Sequence, residues 1–300
     1  MPLFKYMSVE AAALFARTQR VRFTQPFELN DPFEFRPMLD FEGTADDFRD
    51  IIDAKINERF GTVDGVLAMI EEQMSTDPTF PKFPIQIFRT VLEGNPAMRQ
   101  QLMEEMKRHK AELIESIRIA GLLEGQWEKF RQAAGEAVGI FSLTEDPANT
   151  LMWSHYGSQH RGVAVEFDEA HPWFHQRVTT NDDLRHLVQV CYVENTPPRR
   201  WTQVNGVDML YTKNAAWAYE REWRIIRPLK DGTQARPGIF CFDVPHDVVR
   251  SIIFGCRATP ELERDIRALV AANPRFSHMR FKRAKLAGGK IEIVDCEVRL

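Results

Sequence analysis

A change of hydrophobic period divides this chain. From Thr44 to about Ala134, apolar residues return at helical spacing, in Phe48-Ile51-Ile52, Val66-Met69-Ile70 and Met103-Met106 through Leu113-Ile117. Pro78, Pro81 and Pro84 interrupt that block in its middle. On either side the chain reads instead as short strands and turns. Leu3 to Tyr6 and Val21 to Thr24 precede the block, with a helix capped by Ser8 between them. Strands are expected after it at 138–144, 162–168, 187–193, 249–254, 279–284 and 290–298. A helix is expected to open at Asp146-Pro147 and run to Tyr156, where Gly157 stops it, and another spans 260–272. These periods predict an α+β class: a mixed, mainly antiparallel sheet core with a helical insertion. The 300 residues are long enough for one such domain over 1–300, with 44–134 as an insertion or cap.

Composition narrows the function classes. A net charge of -4 supplies no bulk attraction to nucleic acid or to an anionic membrane. Cys191, Cys241, Cys256 and Cys296 form no C-x-x-C pair, so neither a zinc knuckle nor a secreted disulfide framework is expected. Reduced thiols, the absence of a signal-peptide block after Met1 and the lack of a long apolar run predict a cytoplasmic protein with no membrane association. No metal is expected, since there is no H-E-x-x-H, and His155 with His160 lacks a nearby third ligand. P-loop, Rossmann and G-x-S-x-G signatures are also absent.

Three stretches carry chemistry. In Tyr219-Glu220-Arg221-Glu222-Trp223-Arg224, read as one strand, Glu220, Glu222 and Arg224 share a face. That strip fits a site stabilising a cationic reacting group, and it fits equally an ordinary wet strand face. In Phe141-Ser142-Leu143-Thr144 and the helix carrying Met152, Trp153, His155 and Tyr156, hydroxyls and rings form a corner suited to a planar ligand ring. Arg161 follows, placed to meet a phosphate, while the alternative is a plain aromatic core with a buried histidine. Asn30-Asp31-Pro32-Phe33-Glu34 is either a rigid turn or a loop aiming Asn30 and Asp31 into a cleft.

These pieces have a family likeness. The order F-x-L-N-D-P-F-E (27–34), F-S-L-T-E-D-x-x-x-x-L-M-W-S-H-Y-x-x-x-H-R-G (141–162) and K-x-x-x-W-x-Y-E-R-E-W-R-I (213–225) resembles the bacterial family called Domain of Unknown Function 2971. The likeness extends over nearly the whole chain and is least distinctive between 44 and 134. The motif order is also similar to that of ADP-ribosyltransferases, which place a polar first strand, a serine strand leading to an aromatic helix, and a late Glu-x-Glu strand. This chain departs from them in lacking the first-element His or Arg, for which Lys5 or Tyr6 would stand in.

The second resemblance implies an enzyme cleaving the nicotinamide–ribose bond of NAD, as a toxin or phage-defence effector, with an unknown macromolecular acceptor. In it Glu222 stabilises the sugar cation, Glu220 orients the acceptor, and Arg224 keeps both ionised. Ser142 and Tyr156 hold nicotinamide, Arg161 takes the pyrophosphate, and Lys5, Tyr6, Asn30, Asp31, Trp153, His155 and Arg224 complete the NAD site. The competing expectation is a non-catalytic sensor that binds a nucleotide-like small molecule or a peptide, with a protein partner at the helical insertion. A metal-dependent nuclease is the weakest reading, given the acidic charge.

Overall fold

A computed structural model describes residues 1–76, 85–116, 119–180, 182–194, 198–204 and 208–296. The expected prolines 78, 81 and 84, Ile117, and the last residues of the 290–298 strand lie outside these. Contacts divide the chain into two units: Met1–Met38 with Phe130–Pro197 and Asn205–Leu300, and Leu39–Lys129 with Pro198–Val204.

In the first unit, β1 (Pro2–Met7) leads into α1 (Val9–Thr18) and β2 (Arg20–Phe23). Ser8 caps α1 by accepting the Ala11 N–H at 3.2 Å, a contact of about 1 kcal/mol. Gln19 ends the helix in a left-handed conformation. The helices that follow are α2 (Phe41–Phe60), α3 (Val63–Thr76), α4 (Ile85–Gly94), α5 (Pro96–Ser116) and α6 (Ile119–Ala137). Leu67, Ile85 and Leu92 form a small apolar cluster of the second unit, where Thr202 donates to Asp47 at 2.8 Å.

The chain then resumes its strands with β3 (Val138–Thr144), α7 (Thr150–His155), β4 (Val163–Asp168), β5 (Leu187–Gln189), β6 (Cys191–Val193), β7 (Thr212–Asn214) and β8 (Glu222–Pro228). It ends with β9 (Thr233–Arg236), β10 (Ile239–Asp243), β11 (Val249–Phe254), α8 (Pro260–Ala271), β12 (Arg280–Ala287) and β13 (Lys290–Asp295).

Eight strands form the central sheet in the order β13-β12-β11-β4-β1-β3-β8-β5. All its pairs are antiparallel except β11 with β12, which α8 connects. The α+β class, a mainly antiparallel sheet with helices, is therefore the fold. Alternation along the strands buries both faces. Leu3, Met7, Phe141, Val165, Phe167 and Ile225 pack with Phe15 of α1 and with Leu262 and Ile266 of α8. Phe4, Tyr6, Ala164 and Ile253 pack with Met152 and Trp153 of α7 on the other side. Each large side chain so buried contributes about 1.5–3 kcal/mol.

Two local expectations change. The short helix α7 is capped by Asn149, which accepts the N–H groups of Leu151 and Met152; Asp146 instead holds the Ala148 N–H at 2.8 Å. The stretch 187–193 is two strands in different sheets, because Val190 turns its N–H to the Glu222 carbonyl. Beyond α7 the chain makes a left-handed turn through Ser158, Gln159 and His160, at φ 48°, 54° and 70°, before entering β4. Such residues cost about 1–2 kcal/mol each outside glycine.

The strand pairs are long except at one place. β1 pairs β4 over six positions and β3 pairs β8 over seven, but the β1–β3 ladder holds a single register pair, Phe4 with Thr144. Further along β3, Ile140 bonds Thr24 at the end of β2 rather than β1. The sheet opens between these two contacts.

Candidate functional site

The opening between β1 and β3 is the mouth of a cleft of about 240 Å³. Lys5 and Tyr6 come from β1, Ser142 from β3, Tyr156 from the end of α7, Asn30 from the 25–37 loop, and Glu220, Glu222 and Arg224 from the β8 region. Residues from the start, middle and late parts of the chain thus share one concavity.

The floor is a buried ion cluster. Lys213 Nζ lies 2.7 Å from Glu220 Oε2, 3.2 Å from Glu222 Oε2 and 3.1 Å from Glu34 Oε1. Arg224 donates through Nε to Glu222 Oε1 at 2.7 Å and through Nη2 to Glu222 Oε2 at 2.9 Å, and it also pairs with Glu34. Its Nη1 donates to the Leu210 carbonyl at 2.7 Å. Arg224 is 1 % exposed and Lys213 4 %, so both charges are stable only because their partners surround them.

Local backbone choices bring these groups together. Asn214 caps a six-residue 3-10 helix over Ala215–Glu220, and Arg221 then adopts φ 45° before β8 begins at Glu222. Glu220 and Glu222 therefore do not share a strand face as the sequence suggested. They flank a left-handed residue and still converge on Lys213. Glu34 arrives on a loop folded around Asp31, whose Oδ1 accepts the Phe33 N–H at 2.9 Å.

The protonation states follow from this packing. Burial pushes the Glu222 carboxyl up, but Arg224, Lys213 and a bond from Ser142 outweigh it and bring it down to about 2. For Glu220 burial dominates, Glu222 adds to it, and Lys213 and Tyr156 only partly oppose, so its carboxyl sits above the ordinary range. Burial would lower the Lys213 ammonium, yet Glu222, Glu34 and Glu220 hold it above its usual value. Lys5 goes the other way: burial pulls it down to about 8, against the opposing pull of Glu222 and Glu220.

A second chain of bonds crosses the cleft. Asn30 Nδ2 donates to Tyr156 Oη at 2.7 Å, and Tyr156 donates to Glu220 Oε1 at 2.7 Å. Burial, and then the bond to Glu220, raise the phenol well above its ordinary range, so it stays a donor.

Several expected ligand residues lie elsewhere. Trp153 is fully buried, donates to the Pro147 carbonyl at 2.9 Å and packs edge-on against Tyr6: it is core. His155 and Arg161 are exposed and outside the cleft lining, with the Arg161 guanidinium donating to Gln159. Asp31 is buried and shapes its own loop. The Tyr6 hydroxyl is committed to the Asp146 carbonyl at 2.8 Å, so Tyr6 offers only wall. Arg224 serves Glu222 and Glu34, whereas Lys213 serves Glu220. Glu34 and Lys213 were not assigned to the site from sequence, although both stand in the quoted motifs. Their signal was the isolated acid of N-D-P-F-E and the lysine opening K-x-x-x-W-x-Y-E.

Fold and cleft together define an α+β protein with a polar cleft over a buried cluster of three glutamates and two cations. Residues 152–225 match the family described as Protein of unknown function (DUF2971), so the family likeness read from the sequence stands over that stretch, which holds Tyr156, Lys213, Glu220, Glu222 and Arg224. No curated protein and no solved structure matches the chain significantly. Among the described residues no group of acids, histidines and cysteines is arranged to hold a metal ion. No helix among them is long and apolar enough to cross a membrane.

Proposed function

We propose that the cleft binds a nucleotide such as NAD and breaks its N-glycosidic bond, as the ADP-ribosyltransferase-like motif order implies. The observation that carries this reading is the charge count beneath the cleft. Glu34, Glu220 and Glu222 oppose only Lys213 and Arg224 in direct contact, which leaves one formal negative charge in excess. Departure of nicotinamide leaves an oxocarbenium-like sugar, and a fixed, water-poor negative charge stabilises it. Glu222, held ionised, faces that cation. Glu220, with a raised affinity for protons and a bond from Tyr156, accepts the proton of the attacking hydroxyl or water. Ser142, Asn30 and Tyr156 supply the polar contacts that orient the ligand.

The test is release of nicotinamide from NAD by the purified protein, followed by chromatography. Glu222→Gln is expected to lower the rate by about 10²–10³-fold, with near-native circular dichroism. An unchanged rate removes Glu222 from the role. One feature favours the second reading, a sensor without turnover: both Glu222 oxygens are already occupied by Arg224 and Lys213. That reading expects NAD or ADP-ribose to raise the melting temperature with no nicotinamide released.

A further inference from the structure

Lys5 is set apart from the other cleft cations. Lys213 and Arg224 are each held by at least two carboxylates, whereas no carboxylate lies within ion-pairing distance of Lys5 among the described residues. Its Nζ donates to the main-chain carbonyl of Ser142 at 2.9 Å and lies 5.1 Å from the centre of the Phe141 ring. The carbonyl is on offer because β1 and β3 have parted there. One N–H to a neutral carbonyl suits an uncharged amine as well as an ammonium, and leaves its remaining valences toward the cleft. Burial, which brings the group down to about 8, works in the same direction.

We propose that Lys5 is a nucleophilic amine that captures an aldehyde, the open-chain form of a reducing sugar, as an imine. The inference goes beyond the glycosidic reading and does not depend on it. The lone pair of Nζ attacks the carbonyl carbon, and the C=O π electrons pass to oxygen. A proton moves from nitrogen to that oxygen to give a carbinolamine. A second proton, taken up by the Glu220 carboxylate in the same cleft as the Lys5 ammonium gives up its own, lets the hydroxyl leave as water while the C=N bond forms. The iminium then loses its N–H proton back to Glu220, so no oxidant or cofactor is consumed. Asn30, Ser142 and Tyr156 on the walls match the hydroxyls of a polyhydroxy aldehyde better than those of an apolar one.

The probe is ribose 5-phosphate with sodium borohydride, used on the full chain and read by peptide mass spectrometry. Hydride reduces the imine to a stable secondary amine, so the adduct marks its lysine. The expected result is an adduct on Lys5 about tenfold or more above any other lysine, absent in Lys5→Arg, which keeps the positive charge. Native circular dichroism of Lys5→Arg confirms that the loss is chemical. Adducts spread evenly over surface lysines overturn the proposal. So does a Lys5 that inorganic phosphate shields from modification but that the sugar never labels, since that is anion binding alone. Trapping at Lys5 without nicotinamide release would refute the glycosidic reading and leave this one standing.

Discussion

Tyr156 donates its phenol proton to Glu220 Oε1 at 2.7 Å while accepting the Asn30 amide at the same distance, so one hydroxyl joins the 25–37 loop to the ion cluster. Tyr156→Phe removes both bonds and leaves a buried acid short of a donor. The expected cost is about 1–3 kcal/mol by urea denaturation, and Asn30→Ala is expected to be milder. Equal costs would mean that the bond to Glu220 contributes nothing.

Glu34 is the only cluster acid brought by that loop. Glu34→Gln leaves Arg224 and Lys213 balanced by two carboxylates but weakens a buried acceptor of each, at an expected cost of about 1–3 kcal/mol. Equilibrium unfolding checks the size. Swapping Phe33, which is 78 % exposed, for Ala serves as the neighbouring control and is expected to change stability little.

The acid limb of stability should carry the mark of Glu222. Its folded carboxyl titrates near 2, below the unfolded value, so the unfolded chain binds the proton more readily. The stabilisation is therefore complete above the ordinary carboxylate range and fades as pH falls toward 2. Urea midpoints of wild type and Glu222→Gln are expected to converge over that interval. Parallel curves would contradict the assignment.

Lys5 predicts the opposite limb. Its folded value near 8 lies below the unfolded 10.5, so the folded protein loses its proton first as pH rises. Stability tied to Lys5 should increase between those values, and Lys5→Met should flatten that rise. Lys213 works against this only above the unfolded lysine value, from which its stabilisation fades as pH rises toward its raised folded value.

Gly162→Ala tests the packing beneath α7. A methyl group there meets the Met7 carbonyl oxygen of β1 at a distance no Cβ tolerates. The expected loss is about 1–3 kcal/mol, seen as a lower melting temperature.

How much of this could be read beforehand depends on the range of the interaction. Alternation located β3, β4 and β11, and Ser8 announced α1, because period and caps are local properties. The cleft members Asn30, Ser142, Tyr156, Glu220, Glu222 and Arg224 were legible in the polar and aromatic motifs, and Lys5 only through the resemblance in motif order. Glu220 was misplaced because strand alternation was carried across Arg221, where a positive φ resets the direction of every later side chain. His155 and Arg161 looked like ligands by their chemistry, yet both side chains are exposed outside the cleft lining, His155 at the end of α7 and Arg161 just after the left-handed turn at 158–160. The partners of Lys213 escaped notice since Glu34 lies far from it in sequence, and only tertiary structure pairs them.

The solitary Phe4–Thr144 register pair has a thermodynamic corollary. A guest lodged beside Lys5 would supply bridges that the two strands do not make to each other, so occupancy and completion of the sheet become a single event. Amide protons along both bordering strands should then exchange more slowly in the occupied protein, registering a tenant without any chemistry taking place.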